Sequence, residues 1–194
     1  MIAILIFYFT ILTRVFSFFC INKIKKTFKQ KKRKLYLLIP FTRYTDLSQI
    51  LSLIWSCSIY IFKTEPSNAL TASTWVVLCN TSIGYWLFKK ELESNQSPDS
   101  DKLYYKICDF ITHGGLNILI YFRDSNYFYT INDIIYPIIL SLLWLVFIME
   151  PFYYITGEPV YPFLDKKVDI FKKISIIFFL LLNSIVCGFI GALI

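Results

Sequence analysis

The chain has 194 residues, of which 56% are hydrophobic and 19% aromatic, and only 17% are charged. Soluble domains usually carry roughly a quarter charged residues. With a mean hydropathy of +0.56 and apolar residues gathered in long blocks, the composition argues against an ordinary soluble domain and for a polytopic membrane protein. The net charge is +7, and its distribution along the loops carries information of its own.

Six apolar runs and their breakers predict an all-α, single-domain bundle of six transmembrane helices over residues 1–194. The first span covers about 1–21. It lacks a basic stretch before its apolar run, Arg14 interrupts it, and lysines follow where a small-residue cleavage site would be expected, so it reads as a retained helix rather than a secretory signal. The second span covers about 40–62 and opens at Pro40, a residue suited to a first helical turn. The third covers about 70–88, the fourth about 107–122, the fifth about 133–155 and the sixth about 171–194. The fourth is the least hydrophobic of the six.

The loops between these runs carry a consistent charge pattern. The first holds Lys23, Lys25, Lys26, Lys29, Lys31, Lys32, Arg33 and Lys34 with no acid, the third Lys89, Lys90, Lys102 and Lys106, and the fifth Lys166 and Lys167. The second and fourth hold only Lys63 and Arg123 as basic residues. The positive-inside rule then places the odd loops in the cytoplasm and both termini on the far side. The basic first loop reads as a stop-transfer cluster against anionic headgroups, not as a nucleic-acid patch. KELESNQSPDSDK reads as a solvated loop, and aromatic clusters such as Phe152-Tyr153-Tyr154 sit at span ends, where membrane-interface belts form. Cys20, Cys57, Cys79, Cys108 and Cys187 show no CxxC spacing and read as small buried hydrophobes, with no disulfide framework or zinc site. No Gly-rich phosphate loop occurs.

The lone histidine, His113, falls inside the fourth span, with Asp109 one helical turn before it and Asn117 one turn after. Ionisable side chains in hydrocarbon are costly and mark functional sites by default. On the second span Thr45, Ser48, Gln49, Ser52 and Ser56 share one helical face. Gly114 and Gly115 beside the histidine allow close helix approach. Thr45 lies five residues beyond Pro40 and His113 seven beyond Lys106. At ~1.5 Å per residue, both sit roughly 7–11 Å from the cytoplasmic surface. Arg14 and Glu150 fall at similar depth, as a mutual structural pair.

A threonine hydroxyl needs an adjacent base to act as a nucleophile. Imidazole, with an ordinary pKa near ~6.5, can take and return a proton. Thr45 and His113 are thus the candidate catalytic residues. Asp109 is the candidate orienter of the imidazole, and Asn117, Gln49 or Ser48 the candidate oxyanion donors. In a membrane this set suits a fatty-acyl ester of a lipid, with its chains in hydrocarbon and its ester at the polar layer. No cofactor or metal is required.

Four stretches carry a family resemblance. They are YTDLSQ (Tyr44 to Gln49), DFITHGGLN (Asp109 to Asn117), Tyr136-Pro137, and VYPFLDKKV (Val160 to Val168). Together they resemble the six-helix membrane proteins of the androgen-induced-gene and androgen-dependent TFPI-regulating protein family and their bacterial relatives. Characterised animal members are threonine hydrolases cleaving fatty acid esters of hydroxy fatty acids. The resemblance implies Thr45 as nucleophile and His113 as base, and a bacterial relative would reside in the cell membrane. Two positions depart from the family pattern. Asn117 stands where proline is frequent, and Gln49 where asparagine is usual. A different reading of the same polar layer is non-enzymatic, with a small transporter subunit or lipid sensor using it for binding or proton coupling. A third is structural, with the polar residues serving only as interhelical glue.

Overall fold

The computed structural model describes residues 2–24, 43–88, 103–115, 129–156, 161 and 169–193. Among them there are six helices and no strand. Helix α1 is Ile2–Ile24, α2 is Tyr44–Tyr60 and α3 is Asn68–Leu87. Helix α4 is Leu103–Phe110, continued by a π turn at Ile111–Gly115. Helix α5 spans 131–156 as a 3-10 turn at Ile131–Ile134, an α segment Ile135–Trp144, a π turn Leu145–Met149 and a final segment Glu150–Thr156. Helix α6 is Ile170–Leu193. Five lie on the expected spans, while α4 begins four residues before the expected start and residues 116–122 of that span lie outside the described residues; α5 and α6 are long and apolar enough to cross a membrane.

Local chemistry accounts for several of these boundaries. Ser67 caps α3 by accepting the Leu70 amide at 3.2 Å, one of the orphan donors of a first turn. At the start of α5 the Asp133 carboxylate accepts from both the Thr130 amide (2.8 Å) and hydroxyl (2.7 Å), a reciprocal cap. The π turn of α5 lies just before Pro151. That residue has no N–H to give, and its ring crowds the preceding turn, so widening the helix there relieves both problems.

Helix α3 forms the centre, packing against α2, α5, α6 and the π turn of α4. Residues 71–78 are all buried. Trp55, Trp75, Ile6, Val76, Leu78, Tyr129 and Ile134 make one core cluster. Tyr44, Leu51, Val77, Trp144 and Met149 make another. Helix α1 lies against α2 and buries Ala3, Ile6, Thr10 and Thr13, a three-four-three spacing that lines one helical face.

Buried polar groups tie these helices together. Asn80 of α3 donates to Ser184 Oγ of α6 at 2.6 Å and to the Tyr44 hydroxyl of α2 at 3.3 Å, and accepts from Asn183 Nδ2 at 2.6 Å. The Tyr44 hydroxyl also meets Ser141 Oγ of α5 at 2.7 Å. Trp75 Nε1 donates to the Cys187 carbonyl at 2.9 Å, and the Tyr129 hydroxyl to the Gly188 carbonyl at 3.0 Å. The two bonds to the Tyr44 hydroxyl fix the start of α2, which carries the candidate nucleophile.

Candidate functional site

Thr45 is the second residue of α2, and His113 sits in the π turn that ends the described part of α4. Thr45 Oγ1 lies 3.5 Å from His113 Nε2. The two residues are 68 apart in sequence, and both are half-buried. The contact is looser than a formed O–H···N bond, a spacing common at acid–base sites that have no substrate bound. With Nε2 facing a hydroxyl donor, a neutral imidazole acting as base carries its proton on Nδ1.

Neighbours hold the imidazole in place. Its ring stacks on Tyr85 of α3, with centroids 3.9 Å apart and planes inclined by 15°. The Ser82 hydroxyl, one turn earlier on α3, donates to the His113 carbonyl. A π turn shifts the backbone bonding register by one residue, and such turns concentrate at functional sites. Here that turn carries both Thr112 and His113 toward α2.

The serine stripe of α2 divides into two roles. Ser48 donates to the Thr45 carbonyl at 2.7 Å, Ser52 to the Ser48 carbonyl at 2.8 Å and Ser56 to the Leu53 carbonyl at 3.1 Å. These hydroxyls satisfy their own helix, as buried serines in helices commonly do. The single proton of Ser48 is therefore engaged with backbone and is not available to an oxyanion. Gln49 directs Nε2 to Thr112 Oγ1 of the π turn at 3.4 Å. Among the described residues, Thr45 and Gln49 are the members of the stripe that hydrogen-bond across to α4. The side chain of Asp109 and all of Asn117 lie outside the described residues.

Arg14 does not take the partner expected from depth alone. It reaches Asp46, donating to Oδ1 at 2.8 Å and to the backbone carbonyl at 2.6 Å. Arg43 approaches the same carboxylate at 3.2 Å. Asp46 is 1% exposed and belongs to the first turn of α2, where a carboxylate also favours the positive end of the helix. Glu150 is exposed and makes no ion pair among the described residues. Span counting places residues in depth but not around the helix axis, and Glu150 faces outward.

One contributor was not singled out by sequence reasoning. The Tyr161 hydroxyl accepts the Tyr44 amide at 3.0 Å. A phenol thus caps the orphan amides at the start of α2. Burial pushes its pKa up, with Arg43 opposing, so it stays protonated at neutral pH. The sequence signal was present in VYPFLDKKV, where Tyr161 stood as part of a motif without an assigned role. Tyr85 and Ser82 had no such signal, because their part depends on how α3 packs.

No family model matches the chain, and neither a curated protein nor a solved structure matches it.

Proposed function

We propose that the protein is a six-span integral membrane hydrolase of fatty-acyl lipid esters, with both termini on the non-cytoplasmic side. The observation that carries this reading is the approach of Thr45 Oγ1 to His113 Nε2 at 3.5 Å, from two different helices. The outward apolar surface of α5 and α6 supports a lipid surround, with Ile139, Leu143, Val146, Phe147, Phe178, Leu182, Ile185 and Phe189 all exposed. The resemblance carried by YTDLSQ and DFITHGGLN points the same way.

In this mechanism Thr45 Oγ attacks the acyl carbon while His113 Nε2 takes the hydroxyl proton. The tetrahedral intermediate collapses, and His113 returns the proton to the departing alkoxide. Water then repeats the sequence on the acyl-threonine and releases the fatty acid. We assign the oxyanion to the Tyr161 phenol and the amide of Thr45, at the positive end of α2. Asp109 and Asn117 complete the proposed set as orienter and second donor.

The test is covalent labelling of the membrane-embedded protein with a fluorophosphonate, comparing wild type with Thr45→Ala and His113→Ala. Labelling of wild type that both variants lose, with folding intact, is the expected result. A folded wild type that takes no label overturns the activated threonine.

A further inference from the structure

Gln49 Oε1 is a buried side-chain acceptor with no hydrogen-bond partner among the described residues. Its residue is 3% exposed, lies one turn along α2 from Thr45 on the same face, and anchors its amide nitrogen on Thr112, next to His113. Buried polar atoms in folded proteins are nearly always paired, and an orphan costs free energy that persists only where something offsets it. Ser48, Ser52 and Ser56 bond carbonyls of their own helix, so the unpaired acceptor stands one turn from Thr45 and beside Thr112. With its amide nitrogen placed on Thr112, Gln49 leaves over its oxygen, which accepts and does not donate.

Resting on the hydrolase reading, we infer that Gln49 is the specificity-determining residue of this site, and that the substrate is an acyl ester whose alcohol portion carries a free hydroxyl. Four residues of α-helix separate Thr45 and Gln49 by ~6 Å along the axis. When the acyl carbon meets Thr45 Oγ1, a hydroxyl a few bonds away on the alcohol side reaches Gln49 Oε1 and donates to it. A monoacylglycerol has this arrangement. A fully substituted ester leaves the acceptor unpaired in a dry site. Selectivity then comes from penalising the analogue that lacks the donor, which is stronger than anything a change in apolar contact achieves.

The experiment compares 1-monooleoylglycerol with its di-O-methyl ether, which keeps the ester and removes both donors. Binding is measured on the full-length Thr45→Ala protein in nanodiscs, where the ligand is not consumed. Turnover of the same pair is measured separately on wild type. The expected result is binding of the diol at least ~10-fold tighter than the ether, as for a site built to bond a hydroxyl. That preference should fall to near parity when Gln49→Met is added, through loss of diol affinity alone. If the preference is present while wild type hydrolyses neither compound, the hydrolase reading falls and the acceptor site stands. If the two ligands bind equally, the inference is overturned and a buried water fills the acceptor, whatever the turnover. If Gln49→Met weakens both ligands alike, it is equally overturned, because the side chain is then packing or donating. The comparison of ligands on the protein with native Gln49 does not depend on the Gln49 variant folding.

Discussion

Helices α3 and α6 pack against each other and follow opposite rules. Helix α3 is rich in Thr, Ser, Ala and Asn and is buried on nearly every side. Helix α6 is strongly apolar and leaves Phe171, Ile174, Phe178, Leu182, Ile185, Val186, Phe189 and Ile190 on the outside. Ile176 turns inward, as does the strip of small residues Ser184, Cys187, Gly188 and Gly191. In water the arrangement would be inverted. In the lipid surround proposed for this chain, apolar contact does not draw helices together, so close packing of small residues and interhelical hydrogen bonds do so. Chemistry follows the same partition. The site is built where α2, α3 and α4 meet, and α5 and α6 act mainly as its wall.

The largest effects should come from the polar interior. Thr45→Ala and His113→Ala should each lower ester turnover by roughly 10²–10⁴-fold, the range for removing a positioned acid–base group. Hydrolysis that survives either substitution in a folded protein would remove the comparison's functional half. Next is Asp46→Asn, which leaves Arg14 and Arg43 facing a neutral amide. Breaking a buried ion pair from one side costs about 3–5 kcal/mol, readable as a large drop in thermal midpoint in detergent. Glu150→Gln, on an exposed outer position, should change almost nothing. Equal effects from the two would mean that Asp46 is not the buried partner it is here.

Packing gives the next contrast. A Cβ on Gly188 would lie 2.7 Å from Ile134 Cγ2, and one on Gly191 would collide with the Tyr129 hydroxyl and the Trp75 indole. Both glycines sit where carbonyls of α6 receive side-chain bonds from α3 and the start of α5. Gly191→Ala should therefore cost about 1–3 kcal/mol through overpacking. Phe178→Ala, at a position 65% exposed, should leave the midpoint in detergent nearly unchanged. A larger loss from Phe178 than from Gly191 would reverse the assignment of inner and outer faces.

Most helix positions were legible in the sequence because long runs of apolar residues survive any packing arrangement, although Pro40, expected to open the second helix, lies outside the described residues. Azimuth was not legible. Span counting gives Arg14 and Glu150 one depth, and only the placement of α1 against α2 shows that Arg14 reaches Asp46 while Glu150 is exposed. The stripe on α2 was visible as a face, yet spacing could not tell Thr45, which looks across to His113, from Ser48, which bonds its own helix. Hydropathy likewise sees α5 and α6 and undervalues α3, whose polar residues are the reason it can occupy the centre. The Thr45–His113 approach needed a π turn. No spacing rule foresees one, although Gly114 and Gly115 supplied residues that tolerate it.

Tyr161 offers the finest test, because it reaches the site from the connection between α5 and α6. Tyr161→Phe removes the acceptor for the Tyr44 amide and should cost about 0.5–1.5 kcal/mol, the net worth of a typical hydrogen bond. The variant also isolates a pH effect. Burial raises the phenol's pKa in the folded protein, whereas in the unfolded chain it titrates near about 10. Between those values the unfolded state has released the proton and the folded state still holds it, so stability falls as pH rises. Below about 10 both states are protonated and the stabilisation is fully present. Wild type should therefore lose stability above that pH more steeply than Tyr161→Phe, with the lysines contributing equally to both. Parallel curves would place Tyr161 in water rather than over the start of α2, and would leave the amide of Thr45 as the nearer oxyanion donor.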